Sequence, residues 1–320
     1  MAQLNMVQAI NQALAQEMAR DDRVLLLGED VGRDGGVFRV TEGLLERFGR
    51  ERVLDTPLCE SGIMGAAIGM AAYGLRPVPE IQFLGFTYSA FEQLFAHAAR
   101  LRSRSRGRYS CPMVVRTPYG GGIKAPELHE ESTEALFCQV PGLKVVVPSG
   151  PYVAKGLLLA ALRDPDPVLF LEPTRLYRLL REEVPEEEYL VELGKARVAR
   201  PGSSVTVVAW GSMLERVLKA AEGYDAEVLD LLTLNPFDSE AIIASVRKTG
   251  RLVIVHEAAK TCGLGAEIAA TVAEEAILHL RAPILRVTAP DVPVPLAKLI
   301  DHYLPGVQQI RTAIDDVLQY

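Results

Sequence analysis

The chain is expected to be an α/β protein whose sheets are mainly parallel with helices on both faces. Three observations predict this. Short apolar runs alternate with helix-like segments from end to end, and those runs lack the polar alternation of a half-exposed strand. The 320 residues are also enough for two units of this kind, each with its own core.

The first helix is expected over 8–18, where QAINQALAQEM repeats apolar residues at helical spacing. Strands follow at 24–28 (VLLLG) and 53–55 (VLD), the second closed by Pro57. Residues after Glu60 form a helix of small side chains, since Gly62, Gly65, Ala66, Ala67, Gly69, Ala71 and Ala72 fall within one turn-free run. Each interior glycine costs about 1 kcal/mol relative to alanine, so this helix is read as buried and closely approached by another backbone. A strand at 78–83, an aromatic-rich helix at 89–101, strands at 113–117 and 143–147, a helix at 152–162 and a strand at 168–172 complete the first unit. REEVPEEEY at 181–189 is acidic and carries a proline, so it reads as a solvated linker. The second unit has strands at 205–210, 226–230, 252–256 and 284–287, with helices at 213–222, 239–248, 266–280 and 307–318. The expected division is 1–180, a linker at 181–195, and 196–320.

Lys plus Arg total 34 against 41 acids, a formal net charge of −7, which argues against a nucleic-acid surface. Arg100, Arg102, Arg104, Arg106 and Arg108 are the local exception, read as a solvated face or a surface for an acidic protein partner. Cys59, Cys111, Cys138 and Cys262 show neither metal-ligand nor paired spacing, so reduced thiols in a cytoplasmic protein are expected. No apolar run approaches the ~18 residues of a membrane span, and no membrane association is expected.

The P-loop, GxGxxG, GxSxG and HExxH patterns are absent, and His256–Glu257 lacks a second histidine. Glycine clusters at Gly35–Gly36 and Gly120–Gly122 are flexible turns or places where backbone approaches a ligand closely. Glu60 stands where a strand ends and a helix begins, the edge at which open α/β sheets bind ligands. It is either an acid favoured by the helix dipole or a carboxylate in an apolar pocket, its pKa raised for proton transfer. His129 lies in a long loop, YGGGIKAPELHEES, flanked by Glu127, Glu130 and Glu131, whose charges would favour the imidazolium. His97 and His279 fall in helical patterns and read as packing or surface residues. Of the aromatics in EIQFLGFTYSAFEQLF, Phe91 and Phe95 at i, i+4 fit a core, whereas Phe83 and Phe86 sit at a strand end where a ring face can stack on a heterocycle.

Taken together, LLGEDVG at 26–32, GGVFRVTEGL at 35–44, RVLDTPLCESGIMGAAIGMAAYGLRPVPEIQF at 52–83, PELH at 126–129, PGLKVVVPS at 141–149, AKGLLLAALRDPDPVLFLE at 154–172 and EVLDLLTLNPFD at 227–238 closely resemble the beta subunit of thiamine-diphosphate-dependent 2-oxo acid dehydrogenases. The resemblance runs through the whole chain in order.

It implies a pyrimidine-binding α/β domain followed by a transketolase C-terminal-type domain, in an α2β2 heterotetramer that works with a lipoyl acyltransferase core. Glu60 matches the glutamate that hydrogen-bonds the aminopyrimidine of thiamine diphosphate, and Phe86 the aromatic that stacks on it. Glu29, Leu58 and Gln82 match further cofactor-pocket positions, and His129 the loop histidine implicated in passing the acyl group to lipoate. Backbone oxygens of Met113, Ala161, Asp164 and Asp166 match a potassium site in some relatives. The family's diphosphate and magnesium are held by a GDG…N motif on the alpha subunit; this sequence has no GDG, so the chain alone is expected to be inactive.

Ser103 stands where many relatives have Tyr, which bears on the substrate or lipoyl channel, and Cys59 where Ser or Ala is usual. IQFLGFTY, RGRYSCP and TPYGGGIKAPELH look most like bacterial pyruvate dehydrogenases, with branched-chain 2-oxo acid and acetoin dehydrogenases as alternatives. A non-catalytic subunit that only docks the acyltransferase core is the alternative of another class; retention of Glu60 and His129 argues against it.

Overall fold

The computed structural model describes residues 2–320. Its strands are β1 (Ala2–Leu4), β2 (Val24–Gly28), β3 (Val53–Asp55), β4 (Arg76–Glu80), β5 (Val114–Tyr119), β6 (Lys144–Val146), β7 (Val168–Pro173), β8 (Glu182–Val184), β9 (Arg197–Arg200), β10 (Val205–Ala209), β11 (Ala226–Asp230), β12 (Thr233–Asn235), β13 (Leu252–Ala259) and β14 (Leu285–Ala289). They form a seven-stranded sheet in the order β12-β6-β7-β5-β4-β2-β3, a five-stranded sheet in the order β14-β13-β10-β11-β9, and the small pair β1-β8.

The larger sheet is parallel except for β12, and the smaller except for β9. Every residue of β2, β5, β7, β10 and β11 is buried. Helices therefore cover both faces, and the unbroken apolar runs expected of such strands are explained. The helices Met6–Arg20 and Pro151–Arg163 lie side by side over one face of the larger sheet.

Several boundaries differ from expectation. The strand expected at 78–83 is Arg76–Glu80, because the chain turns after Ile81 into a 3-10 helix, Leu84–Ala90. The aromatic helix expected at 89–101 is that 3-10 segment plus a π-helical turn, Gln93–Ala98, an irregularity often found near functional sites. The helix expected at 266–280 is Leu264–Ala276 closed by a 3-10 turn. The helix Glu60–Ala72 is only half buried. Ile63, Met64, Ala67 and Ala71 face the core while Gly62, Ala66 and Gly69 are exposed, so its small-residue stripe is not covered by this chain.

The acidic stretch after 180 is no free linker. β8 pairs antiparallel with β1, Val184 is fully buried, and Lys155 Nζ donates to the carbonyls of Pro185, Glu186 and Glu187. The five arginines at 100–108 are solvated, one of the two readings given for them. Arg100 caps the short helix Leu101–Arg104, Arg102 and Arg104 lie on it, and Arg106 and Arg108 follow in a turn, all exposed.

Candidate active site

Four neighbouring strands, β5, β4, β2 and β3, end side by side at Tyr119, Glu80, Gly28 and Asp55. This C-terminal edge is where open parallel sheets bind ligands. Glu29 follows β2 directly, Gln82 and Phe83 lie just beyond β4, and residues 56–59 lead from β3 to Glu60. Asp55 ties the edge together, its carboxylate accepting from the amides of Gly32 at 2.6 Å and Arg33 at 3.0 Å.

Glu60 is the first residue of its helix, and no side chain caps the turn. The helix dipole therefore favours its charge by about 0.3–1 kcal/mol. The carboxylate is also held from the side. Ser89 Oγ lies 3.2 Å from Glu60 Oε2 and 3.0 Å from the Phe86 carbonyl, and Ser61 Oγ donates to the Ser89 carbonyl. Enclosure by apolar surface is incomplete within this chain: Glu60 is half-buried, and neighbouring Leu58 is 76% exposed. Glu29 is pushed above the usual carboxylate range, by burial first and then by the charges of Glu60 and Asp30. Gln82 Nε2 donates to Asp30 Oδ2 at 3.2 Å.

Beside Glu60 the rings of Phe83, Phe86 and His129 form a triangle. Centroid separations are 5.5 Å for Phe83–Phe86, 4.3 Å for Phe83–His129 and 5.0 Å for Phe86–His129. Phe83 is buried against Phe38, whereas Phe86 keeps part of its ring exposed. Phe91 and Phe95 stack on each other and pack, partly buried, against the core. His129 Nδ1 is 2.8 Å from the Glu127 carbonyl, which only accepts. Nδ1 therefore carries a hydrogen, and Nε2 is the nitrogen left to exchange a proton.

The flanking glutamates do not surround the imidazole as expected. Glu130 turns inward, and its Oε1 accepts from the amides of Gly122, Ile123 and Lys124 at 2.7–2.9 Å. Glu131 faces Tyr88, and burial raises its carboxyl above the ordinary range. The glycine clusters approach the chain's own carboxylates: a Cβ at Gly36 would stand 3.2 Å from Glu80 Oε1, and one at Gly120 2.7 Å from Glu257 Oε1.

Two family models match the chain: the transketolase pyrimidine binding domain over residues 2–179 and the transketolase C-terminal domain over 194–310. A solved chain described as a split gene transketolase, inactive beta4 tetramer, superposes with a TM-score of 0.81 over 99% of both chains at 24% identity, a likeness of fold. Proteins named pyruvate dehydrogenase E1 component subunit beta are 53% identical in Staphylococcus epidermidis and 50% identical in Bacillus subtilis and Staphylococcus aureus, over the full length of both chains. The chain belongs to this E1 beta-subunit family.

In this E1 beta chain, the backbone oxygens matched to potassium lie at the opposite, N-terminal edge of the sheet. The Met113 carbonyl accepts from Val168 at 2.9 Å, that of Ala161 from Asp164 at 3.1 Å, and that of Asp164 from Arg76 Nη2 at 2.9 Å. Each carbonyl keeps a second lone pair, so a monovalent cation fits only the remaining acceptor capacity. The Asp164 and Asp166 carboxylates are already paired with Lys144 and Arg102. Ser103 lines a cavity of about 750 Å3 beside this region, with Lys144 and Asp166, so it lies away from the His129 mouth. Cys59 is exposed at the mouth. Among the described residues no group of three or more His, Cys, Asp or Glu converges on a metal position.

Three contributors escape sequence reasoning. Ser89 is only the first residue of the helix expected at 89–101, and the 3-10 turn brings it to Glu60. Gly85 lets the loop settle, since a Cβ there would collide with the Leu128 carbonyl next to His129. Glu130 shapes the loop through three backbone amides, and no spacing rule marks it.

Proposed function

We propose that this chain is the beta subunit of an acetyl-transferring pyruvate dehydrogenase, which with an alpha subunit decarboxylates pyruvate and reductively acylates lipoyl groups. The observation that carries the reading is the shared mouth: the Glu60 carboxylate held by Ser89, beside the partly exposed Phe86 ring and the free Nε2 of His129. When bound, thiamine diphosphate supplies an electron sink for the carbon that loses carbon dioxide.

The chain's own residues would do the following. Glu60 holds a proton against the aminopyrimidine edge, with Oε2 steadied by Ser89. Phe86 presents its ring to the pyrimidine, while Glu29, Leu58 and Gln82 line the same pocket. Glu29, raised by burial and then by the neighbouring charges of Glu60 and Asp30, is the second carboxyl facing this pocket. His129 positions or protonates a lipoyl sulfur through Nε2.

The diphosphate and its magnesium belong on the alpha subunit, since this sequence has no GDG motif. The exposed stripe of Gly62, Ala66 and Gly69 supports an alpha-subunit helix packing on the Glu60 helix in an α2β2 assembly. Potassium at Met113, Ala161, Asp164 and Asp166 is a further proposal, as are docking to a lipoyl acyltransferase core and action in the cytoplasm. Co-expression with the alpha chain, followed by decarboxylation assays on pyruvate, branched-chain 2-oxo acids and acetoin, tests the reading. Preference for pyruvate supports it, and turnover by the isolated beta chain overturns the shared-site part.

A further inference from the structure

The second sheet also has a C-terminal edge, the usual ligand position, and there it receives part of the first unit. Ser212 follows β10 and Glu257 lies near the end of β13, its neighbour in that sheet. Glu257 is 1% exposed. Its Oε2 accepts from the amide of Gly121 at 3.0 Å and its Oε1 from Ser212 Oγ at 2.8 Å. Gly120, at φ +82°, lets the carboxylate come this close. Ile300 and Leu304 of the second unit press on Gly121, each within 3.3 Å of where a Cβ would stand. Beyond His129 the same unit grips the chain again, where Trp210 Nε1 donates to Glu134 Oε1 at 3.2 Å. The loop is thus clamped at both ends by a unit whose side chains take no part in the mouth described above. Burial pushes the Glu257 carboxyl above the ordinary range, Arg216 and Arg175 pull it back, and the buried carboxyl of Glu134 is the remaining ionisable neighbour.

We propose that Glu257, with Ser212, is a positioning residue for His129, so that the second unit sets where the acyl-transfer loop stands. This rests on the reading of His129 given above. Leaving a buried donor without its acceptor loosens what it holds by about tenfold or more.

The test uses the assembled alpha–beta enzyme carrying Glu257→Gln, which keeps the shape but leaves one acceptor oxygen where there were two. Ser212→Ala is a milder second variant should Glu257→Gln fail to assemble. Amide hydrogen exchange over 120–131, lipoyl acylation, and decarboxylation with an artificial electron acceptor are measured, with His129→Ala alongside. The expected result is exchange about tenfold faster in the loop and acylation about tenfold slower, with decarboxylation within about twofold of wild type. Unchanged exchange in both variants overturns the proposal whatever His129 does. A loosened loop with normal acylation also overturns it if His129→Ala is impaired. If His129→Ala acylates normally as well, the reading of His129 has failed and the proposal falls with it.

Discussion

Ser89 and Glu60 are 29 positions apart in sequence, yet the serine hydroxyl stands 3.2 Å from the glutamate's Oε2 while also reaching the carbonyl of Phe86. One hydroxyl thereby stands between the carboxylate and the backbone that carries the aromatic ring, its single hydrogen shared by the two acceptors.

Ser89→Ala should reduce decarboxylation by the assembled enzyme by about tenfold, the scale of one hydrogen bond to a charged group. Glu60→Gln, which removes the carboxylate itself, should cost about 10²–10⁴ in rate while subunits still assemble. Steady-state kinetics with size-exclusion chromatography checks both. Near-normal turnover of Glu60→Gln would remove it from the mechanism.

His129→Ala should separate two half-reactions. Lipoyl acylation should fall by about 10²–10⁴, and decarboxylation followed with an artificial acceptor much less. Equal losses in the two assays would assign the histidine to substrate binding or an earlier step.

Gly85→Ala should displace the loop, because the new methyl group would meet the Leu128 carbonyl. Overpacking of this kind costs about 1–3 kcal/mol. Acylation should drop with a lowered melting temperature, and a variant with wild-type values in both would show that the loop does not rest on this segment.

Glu134 should make stability pH-dependent. Burial raises its carboxyl to about 8 from an ordinary 4.5, so the folded state holds a proton that the unfolded state has lost between those values. Stability from this group is complete below about pH 4.5 and is lost as pH rises towards 8, by about 1.4 kcal/mol per unit. His256, lowered to about 4 by burial, opposes this slope near pH 6.5, where the unfolded imidazole is still partly charged, and the opposition fades towards pH 8 and is common to variant and wild type. Glu134→Gln still accepts from Trp210 and should flatten the fall in melting temperature between pH 6.5 and 8. Identical slopes for the variant and wild type would count against a buried proton at Glu134.

The legible parts of this fold were the strands buried on both faces. β2, β7 and β10 read as apolar runs because each side chain meets a helix or another core residue. β1, β8 and β9 have no such run: AQL, EEV and RVAR are short and interrupted by polar residues, and pairing of their backbones holds them. The segment 84–98 has helical periodicity, but closure against Glu60 on one side and Leu128 on the other imposes 3-10 and π geometry. Within the site, Glu60 and His129 stood out because each occupies a recognisable place, a strand-to-helix corner and a loop. Ser89 and Glu257 act across the fold, and the carboxylate setting expected for His129 failed because adjacency in sequence did not fix where those side chains turned.

The outermost strand of the seven-stranded sheet, β12, comes from beyond residue 195 and hydrogen-bonds to β6, with Val147 N donating to the Leu232 carbonyl at 2.8 Å. The two halves are therefore stitched rather than merely abutted. A protease cut in the stretch between β8 and β9 would not release a self-sufficient N-terminal fragment, since that piece would leave β6 as a bare edge, an invitation to aggregation. The nicked protein should instead stay together under native conditions and melt in one cooperative step, and the two halves should have to be made together to fold.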